Sequence, residues 1–284
     1  MAGRVSSAPW LMVAPAALLF CGLVLLPLAL TAILSVQAYD TVRGIQNEFT
    51  FANYIAVLTD PYYLEIFWRT LRLALITTLI CALIGMPEAY ILGRMRSPWR
   101  SIFLLVIIGP LLVSVVVRAF GWSMLLGSTG LFVQMLRAFG LNIPRLLYSE
   151  TAIVIALVHV MLPFMVIPVW TALQRIDSST EAAAWTLGAS RFTALRRVVL
   201  PQVSLGVLSG SLIVFGLSVS AFAIPGLLGG RRLKMAATLV YDQYMVELNW
   251  PLGAAIAIVV LIANLVIMIA YNRLVEGRAR RAMG

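Results

Sequence analysis

The sequence predicts an all-α polytopic membrane protein with six transmembrane helices. Three observations carry that expectation: 62% of the 284 residues are hydrophobic and only 11% charged, six apolar runs are long enough to cross a bilayer, and the basic residues gather on alternate connections. Soluble domains hold roughly 45–50% apolar residues, and the mean hydropathy here is +0.98. Folding so much apolar surface inward leaves too little polar surface to cover an exterior. A water-soluble fold is therefore excluded, and lipid is the solvent for much of the chain.

The runs are Leu11–Val36, Leu73–Leu92, Ile102–Leu126, Ala152–Leu173, Val203–Leu228 and Leu252–Tyr271. Even the shortest, at 20 residues, extends about 30 Å as a helix, the thickness of the hydrocarbon layer. The first run follows Arg4 and invites comparison with a secretory signal. Signal cores end after about 7–15 apolar residues at a small-residue cleavage site, whereas this run continues through Val36, so it reads as a span.

An even number of crossings places both termini on one side. The N-terminus, the second-to-third and fourth-to-fifth connections and the C-terminus carry twelve arginines, opposed by Asp177, Glu181 and Glu276 alone. The other connections mix eight basic residues, among them Arg231, Arg232 and Lys234, with seven acidic ones. The first set is expected in the cytoplasm. Distributed in this way, the net charge of +10 follows from topology and forms no patch for nucleic acid.

The chain reads as a single transmembrane domain over 1–284, without repeats or linkers. Cys21 and Cys81 lie inside apolar runs and read as packing residues. His159 has no Cys or His near it in sequence, so no metal site and no catalytic constellation is expected. No Walker pattern occurs, which assigns any nucleotide chemistry to another chain.

The longest cytoplasmic connection, 174–201, is helix-forming. Asp177 or Ser178 caps a run of good helix formers to Leu187, and Gly188 stands where a left-handed C-terminal residue is wanted. Ser190 caps a second helix, Arg191 to Val199, before Leu200 and Pro201 lead into the fifth span. Phe192, Leu195 and Val199 make an apolar stripe beside Arg191, Arg196 and Arg197. Such a hairpin fits either a groove on a partner protein or the bilayer surface.

The stretch Ala182 to Gly188, followed by Val198, Leu200 and Pro201, resembles the EAA motif of ABC importer permeases: E-A-A-x-x-x-G, nine residues, an aliphatic, one residue, then L-P. Anchored on Gly188, the motif's glutamate position is Ala182. The literal Glu-Ala-Ala string begins at Glu181, about 100° round the helix. Gly85–Tyr90, Val117–Trp122, Val158–Met165, Leu227–Gly230 and Asn249–Ala255 are similar to the spermidine/putrescine branch of that family. The resemblance implies a type I (MetI-like) importer permease in a bacterial inner membrane, carrying polyamines. It also implies that Glu181, Ala182, Ala183, Ala184, Leu187, Gly188, Val198, Leu200 and Pro201 couple the chain to a cytoplasmic ATPase dimer that uses ATP and magnesium. This chain itself would bind no cofactor. A second permease subunit, identical or homologous, and an external solute-binding protein complete the implied assembly.

Three residues are candidates for the translocation path. Glu88 lies near the inner end of the second span, where an ionisable group is costly. It serves cation passage or snorkels to the headgroups, since Arg94 is only about 9 Å further along the axis. Ser218 and Ser220 offer hydroxyls in the fifth span that line a path or bond their own backbone. The rivals from other classes are an integral membrane enzyme built on Glu88 or His159, and a secondary transporter. Neither is supported by a nucleophile, a carboxylate pair or an internal repeat.

Overall fold

The computed structural model describes residues 8–140, 146–176, 178–230 and 232–283; the side chains of 8–12, 178, 181, 182, 191, 192 and 274–283 fall outside the description. Among the described residues, five helices are long and apolar enough to cross a membrane, and six if a bent pair is counted as one crossing. The chain divides into two compact units. One joins the N-terminal part as far as Tyr63 with Val240–Leu261, and the other joins Leu64–Leu239 with the C-terminal part from Ile262.

In the first unit, α1 (Ala8–Ser35) is 28 residues long, and of its described side chains only Ser35 is buried. The first crossing therefore follows the expected run closely. A ribbon of β1 (Gln37–Asp40) and β2 (Gly44–Phe49) comes next, with Tyr39 opposite Ile45 and Asp40 opposite Gly44. Asp40 closes the turn: its Oδ1 accepts from the backbone N–H groups of Val42 and Arg43, both at 2.8 Å. Those donors, Arg43 first, hold its carboxyl below the usual carboxylate range. The side chain of Asn53, in α2 (Ala52–Thr59), donates to the carbonyls of Ser35 and Gln37, and Tyr54 meets the Ser35 hydroxyl at 2.6 Å. These bonds fasten α2 to the junction of helix and ribbon.

The unit also holds the end of α13 (Ala236–Met245) and the start of α14 (Trp250–Met283). Asn249 caps α14, its Oδ1 accepting from the Leu252 N–H at 3.2 Å. Trp250 and Pro251 thus occupy the first helical turn, where a missing N–H costs nothing.

The second unit is built around α7 (Glu150–Leu173) and α11 (Ser204–Val219), the most extensively packed helix pair in the chain. Glycine makes that approach possible. A Cβ on Gly206 would lie 2.6 Å from the Ala172 Cβ and 2.8 Å from the Pro168 carbonyl oxygen, and one on Gly210 only 3.2 Å from the Met165 Cα. From α3 (Pro61–Arg94), Gly85 closes on the same methionine, 2.8 Å from its Cγ. Met165 is fully buried where the three helices meet. Lipid offers no hydrophobic drive between helices, so close packing of this kind holds them together.

A polar clasp joins the opposite end of α3 to the start of α7. Arg72 donates to both carboxylate oxygens of Glu150 at 2.5–2.6 Å, and Arg69 pairs with Glu65 and Glu150. Arg69 also donates to the Lys234 carbonyl, and the Thr70 hydroxyl accepts from the Ala236 N–H at 2.8 Å. The second crossing is accordingly longer than its apolar run, reaching 34 residues.

Two expected spans are corrected. The run Ile102–Leu126 is not one helix: α4 (Trp99–Ile108) passes into a tight turn at Gly109–Leu112, and α5 (Val115–Leu126) starts afresh. Pro110 has no N–H to continue the ladder, Val113 is extended, and the Ser114 hydroxyl caps the new helix by accepting from Val116. A further short helix, α6 (Leu131–Ala138), follows Gly130. The run Val203–Leu228 likewise stops at Val219. After Ser220 and Ala221 the chain restarts as α12 (Ala223–Leu228), which packs on α5 and α7. The last crossing, by contrast, runs on well past Tyr271 within α14.

The seam predicts a sharp contrast between neighbouring glycines. Gly206→Ala should destabilise the protein by about 2 kcal/mol, the usual cost of overpacking. Gly216→Ala, where the added methyl meets Met268 at an ordinary 3.7 Å, should cost little more than nothing. Thermal unfolding in detergent, followed by exposure of Cys81 to a thiol dye, measures both.

Candidate functional site

The connection between α7 and α11 folds into a helical hairpin. Its first arm is α8 (Ser178–Thr186). The arm ends in a full set of carbonyl-capping bonds: the Gly188 N–H reaches the Trp185 carbonyl, and the Ala189 N–H reaches that of Ala184, both at 3.0 Å. This pairing requires a left-handed residue at position 188, and Gly188 has φ +83°. The turn is fixed by backbone alone, since a Cβ there would meet nothing within 4 Å.

Ser190 starts the return arm, its hydroxyl accepting from the Thr193 N–H at 3.2 Å. The expected second helix, Arg191 to Val199, is modified in its course: α9 (Arg191–Ala194) widens into a π turn over Leu195–Val199 and continues as α10 (Leu200–Gln202). Pro201 is the physical reason. Its ring disrupts the ordinary i−4 bond, and a widened turn relieves the conflict. The chain then bends by 60° at Val203 into α11.

The structure brings the two halves of the sequence motif into one hairpin, because α8 packs against both α9 and the π turn. Ala194 and Val199 are buried beneath it. Ala183 and Pro201 are exposed; Ala184, Val198 and Leu200 are half-buried. Leu187 projects at the tip with 88% of its surface exposed. Glu181 and Ala182 lie on α8, and their side chains, like Asp177 as a cap, fall outside the described residues. The stripe proposed for the return arm is partly realised, with Val199 buried and Leu195 half-buried.

The three candidate path residues do not form one cluster. Arg94, at the end of α3, lies 5.9 Å over the Trp185 ring, which sets Glu88 at the hairpin end of the unit. Ser218 and Ser220 lie at the far end of α11, about 20 Å away along its axis. Glu88 is half-buried. Ser218 is wholly buried with its hydroxyl unpartnered, and the exposed Ser220 returns its hydroxyl to the carbonyls of Gly216 and Leu217. His159 accepts at Nδ1 from the Trp122 indole N–H at 3.2 Å, the two rings meeting edge to face. Among the described residues, no group of three His, Cys, Asp or Glu is placed to hold a metal.

The succession of apolar helices, packed through the glycine seam, defines an integral membrane protein with several crossings. Residues 85–280 match the family of binding-protein-dependent transport system inner membrane components, and the chain belongs to that family. It is 31% identical to the spermidine/putrescine transport system permease protein PotB of Haemophilus influenzae, over 88% of each chain. It is 27% identical to the sulfate transport system permease protein CysT of Salmonella typhimurium, over 84% of this chain and 86% of that one. A bacterial alginate ABC transporter solved with its oligosaccharide-bound periplasmic protein shares the fold, with a TM-score of 0.79 at 18% identity over 96% and 95% of the two chains. The protein is thus the non-catalytic, membrane-spanning permease subunit of a binding-protein-dependent ABC importer.

The capping geometry makes one measurable demand. Gly188→Ala must hold an L-residue in the left-handed region at a cost of about 1 kcal/mol. Amide hydrogen exchange over 183–190 should accelerate roughly fivefold as a result, and Gly188→Asn should lie between the two.

Proposed function

We propose that this permease imports a polyamine of the spermidine or putrescine type, and that the α8–α10 hairpin is the handle by which a cytoplasmic ATPase dimer drives it. The observation that carries the second part is Leu187, a large apolar side chain 88% exposed at the tip of a hairpin outside the apolar helices. An apolar knob flanked by small residues suits helix-in-groove docking, in which a partner's groove covers it. Ala183 and Ala184 beside it let a partner's backbone come close. On this reading Gly188 and the Val198, Leu200 and Pro201 turn keep the handle stiff, and the hairpin and both termini face the cytoplasm, a placement that the arginine distribution supports.

ATP and magnesium are used by the partner ATPase. A second permease, identical or homologous, faces this one across the pathway, and an external binding protein delivers the solute. Closure of the ATPases displaces the two handles as rigid bodies and exchanges which side is open. The likeness to the PotB relatives supports the polyamine reading, while the sulfate permease relative makes an anion the natural rival.

Leu187→Asp tests the handle. It should abolish co-purification of the ATPase while the permease stays folded; undiminished co-purification would reject this docking surface. Cysteine introduced at Thr180 should react with a membrane-impermeant maleimide only from the cytoplasmic side. Uptake into proteoliposomes holding the whole importer should favour labelled putrescine or spermidine over labelled sulfate, and the reverse preference would replace the substrate while leaving the transporter assignment intact.

A further inference from the structure

The hairpin is joined to the rest of its unit by two covalent connections, residues 174–177 from α7 and the bend at Val203 into α11. Two attachments leave a body free to rotate about the line between them. A nine-residue helix held only in this way would swivel under load without moving any other crossing. A third attachment, off that line, removes the freedom.

The structure contains such a point. Arg94 closes the last turn of α3, and its guanidinium carbon lies 5.1 Å from the ring centre of Tyr90, one turn earlier on the same helix, and 5.9 Å from that of Trp185 on α8. Both separations are within the range in which an aromatic face attracts a cation. Tyr90 is half-buried and Trp185 is 41% exposed, so the contact lies at the surface where α3 ends. Arginine suits the position because its planar, always-charged group stacks on rings. Behind it α3 runs back past Pro87 to Gly85, which packs into the Met165 junction.

We propose that Arg94 is a positioning residue for transport: by engaging Trp185 it fixes the hairpin to α3, so that α8 and the second crossing move as one body. This rests on the reading of the hairpin as the ATPase handle, and it adds the crossing to which the stroke is delivered. Without the contact, the ATPase turns the handle and α3 lags behind.

The test uses the assembled importer in lipid nanodiscs, with Cys21→Ser to remove the exposed thiol and spin labels on Thr180→Cys of α8 and Ile91→Cys, an exposed position of α3. In the otherwise unaltered chain the label-to-label distance should be narrowly distributed and the same with and without ATP plus vanadate. Arg94→Ala and Trp185→Ala should each broaden it. Each should also lower putrescine-driven stimulation of ATP hydrolysis about two- to fivefold, the range expected for one exposed cation–aromatic contact. The double variant should be no worse than either single one, and Arg94→Lys and Trp185→Phe should restore part of the effect.

Additive losses in the double variant, or an unchanged distance distribution in Arg94→Ala, would overturn the proposal. ATPase co-purification keeps the two readings apart. Arg94→Ala should retain the ATPase, whereas a hairpin that never docks would show itself by retention in Leu187→Asp, and the label distances would still decide whether α3 holds α8.

Discussion

The fold depends on how closely α7 can approach its neighbours. In water, apolar helices are driven together by solvent; in lipid they gain little from mere contact, and only fine steric fit makes association favourable. Met165 supplies the fit here, with Gly85 of α3 on one side and Gly210 of α11 on the other, while Gly206 lets α11 rest directly on the backbone of α7. Each of these positions is occupied by the one residue type that has no side chain to displace. The seam aligns α3, α7 and α11, and both arms of the hairpin grow from the last two.

Polar groups then act at the two ends of this apolar junction. At one end, Glu150 gathers Arg69 and Arg72, so that α3, α7 and the segment before α13 share a partly buried charge cluster. At the other end the contact is softer: a guanidinium on aromatic faces, next to a hairpin whose turn is set by one glycine and whose return arm carries a widened turn.

Much of this was legible from sequence because it depends on residues close together in the chain. Apolar length gave the crossings, and Gly188 and Ser190 gave the hairpin its limits. The failures have a common cause. Hydropathy registers apolarity and is blind to hydrogen bonding, so Gly109 and Pro110 were absorbed into one long span although a proline in mid-run signals a break. The β1–β2 ribbon lacks a clean alternating pattern and is held by Asp40 and Asn53 through bonds to backbone. The pairing of Arg72 with Glu150 links residues 78 apart, which no local pattern shows. Of the candidate site, the hairpin was readable as a unit, while the separation of Glu88 from Ser218 and Ser220 required the antiparallel course of α3 and α11.

The turn at Gly109–Leu112 has a consequence for mechanics. A continuous helix resists bending because every carbonyl is tied to an amide one turn on. Between α4 and α5 that tie is interrupted: Pro110 has no N–H, the Val113 N–H turns back to the Pro110 carbonyl at 3.1 Å, and a serine cap starts the next helix. This stretch is a knee rather than a strut: the upper and lower halves can tilt against each other by changing a few torsion angles, without melting either half.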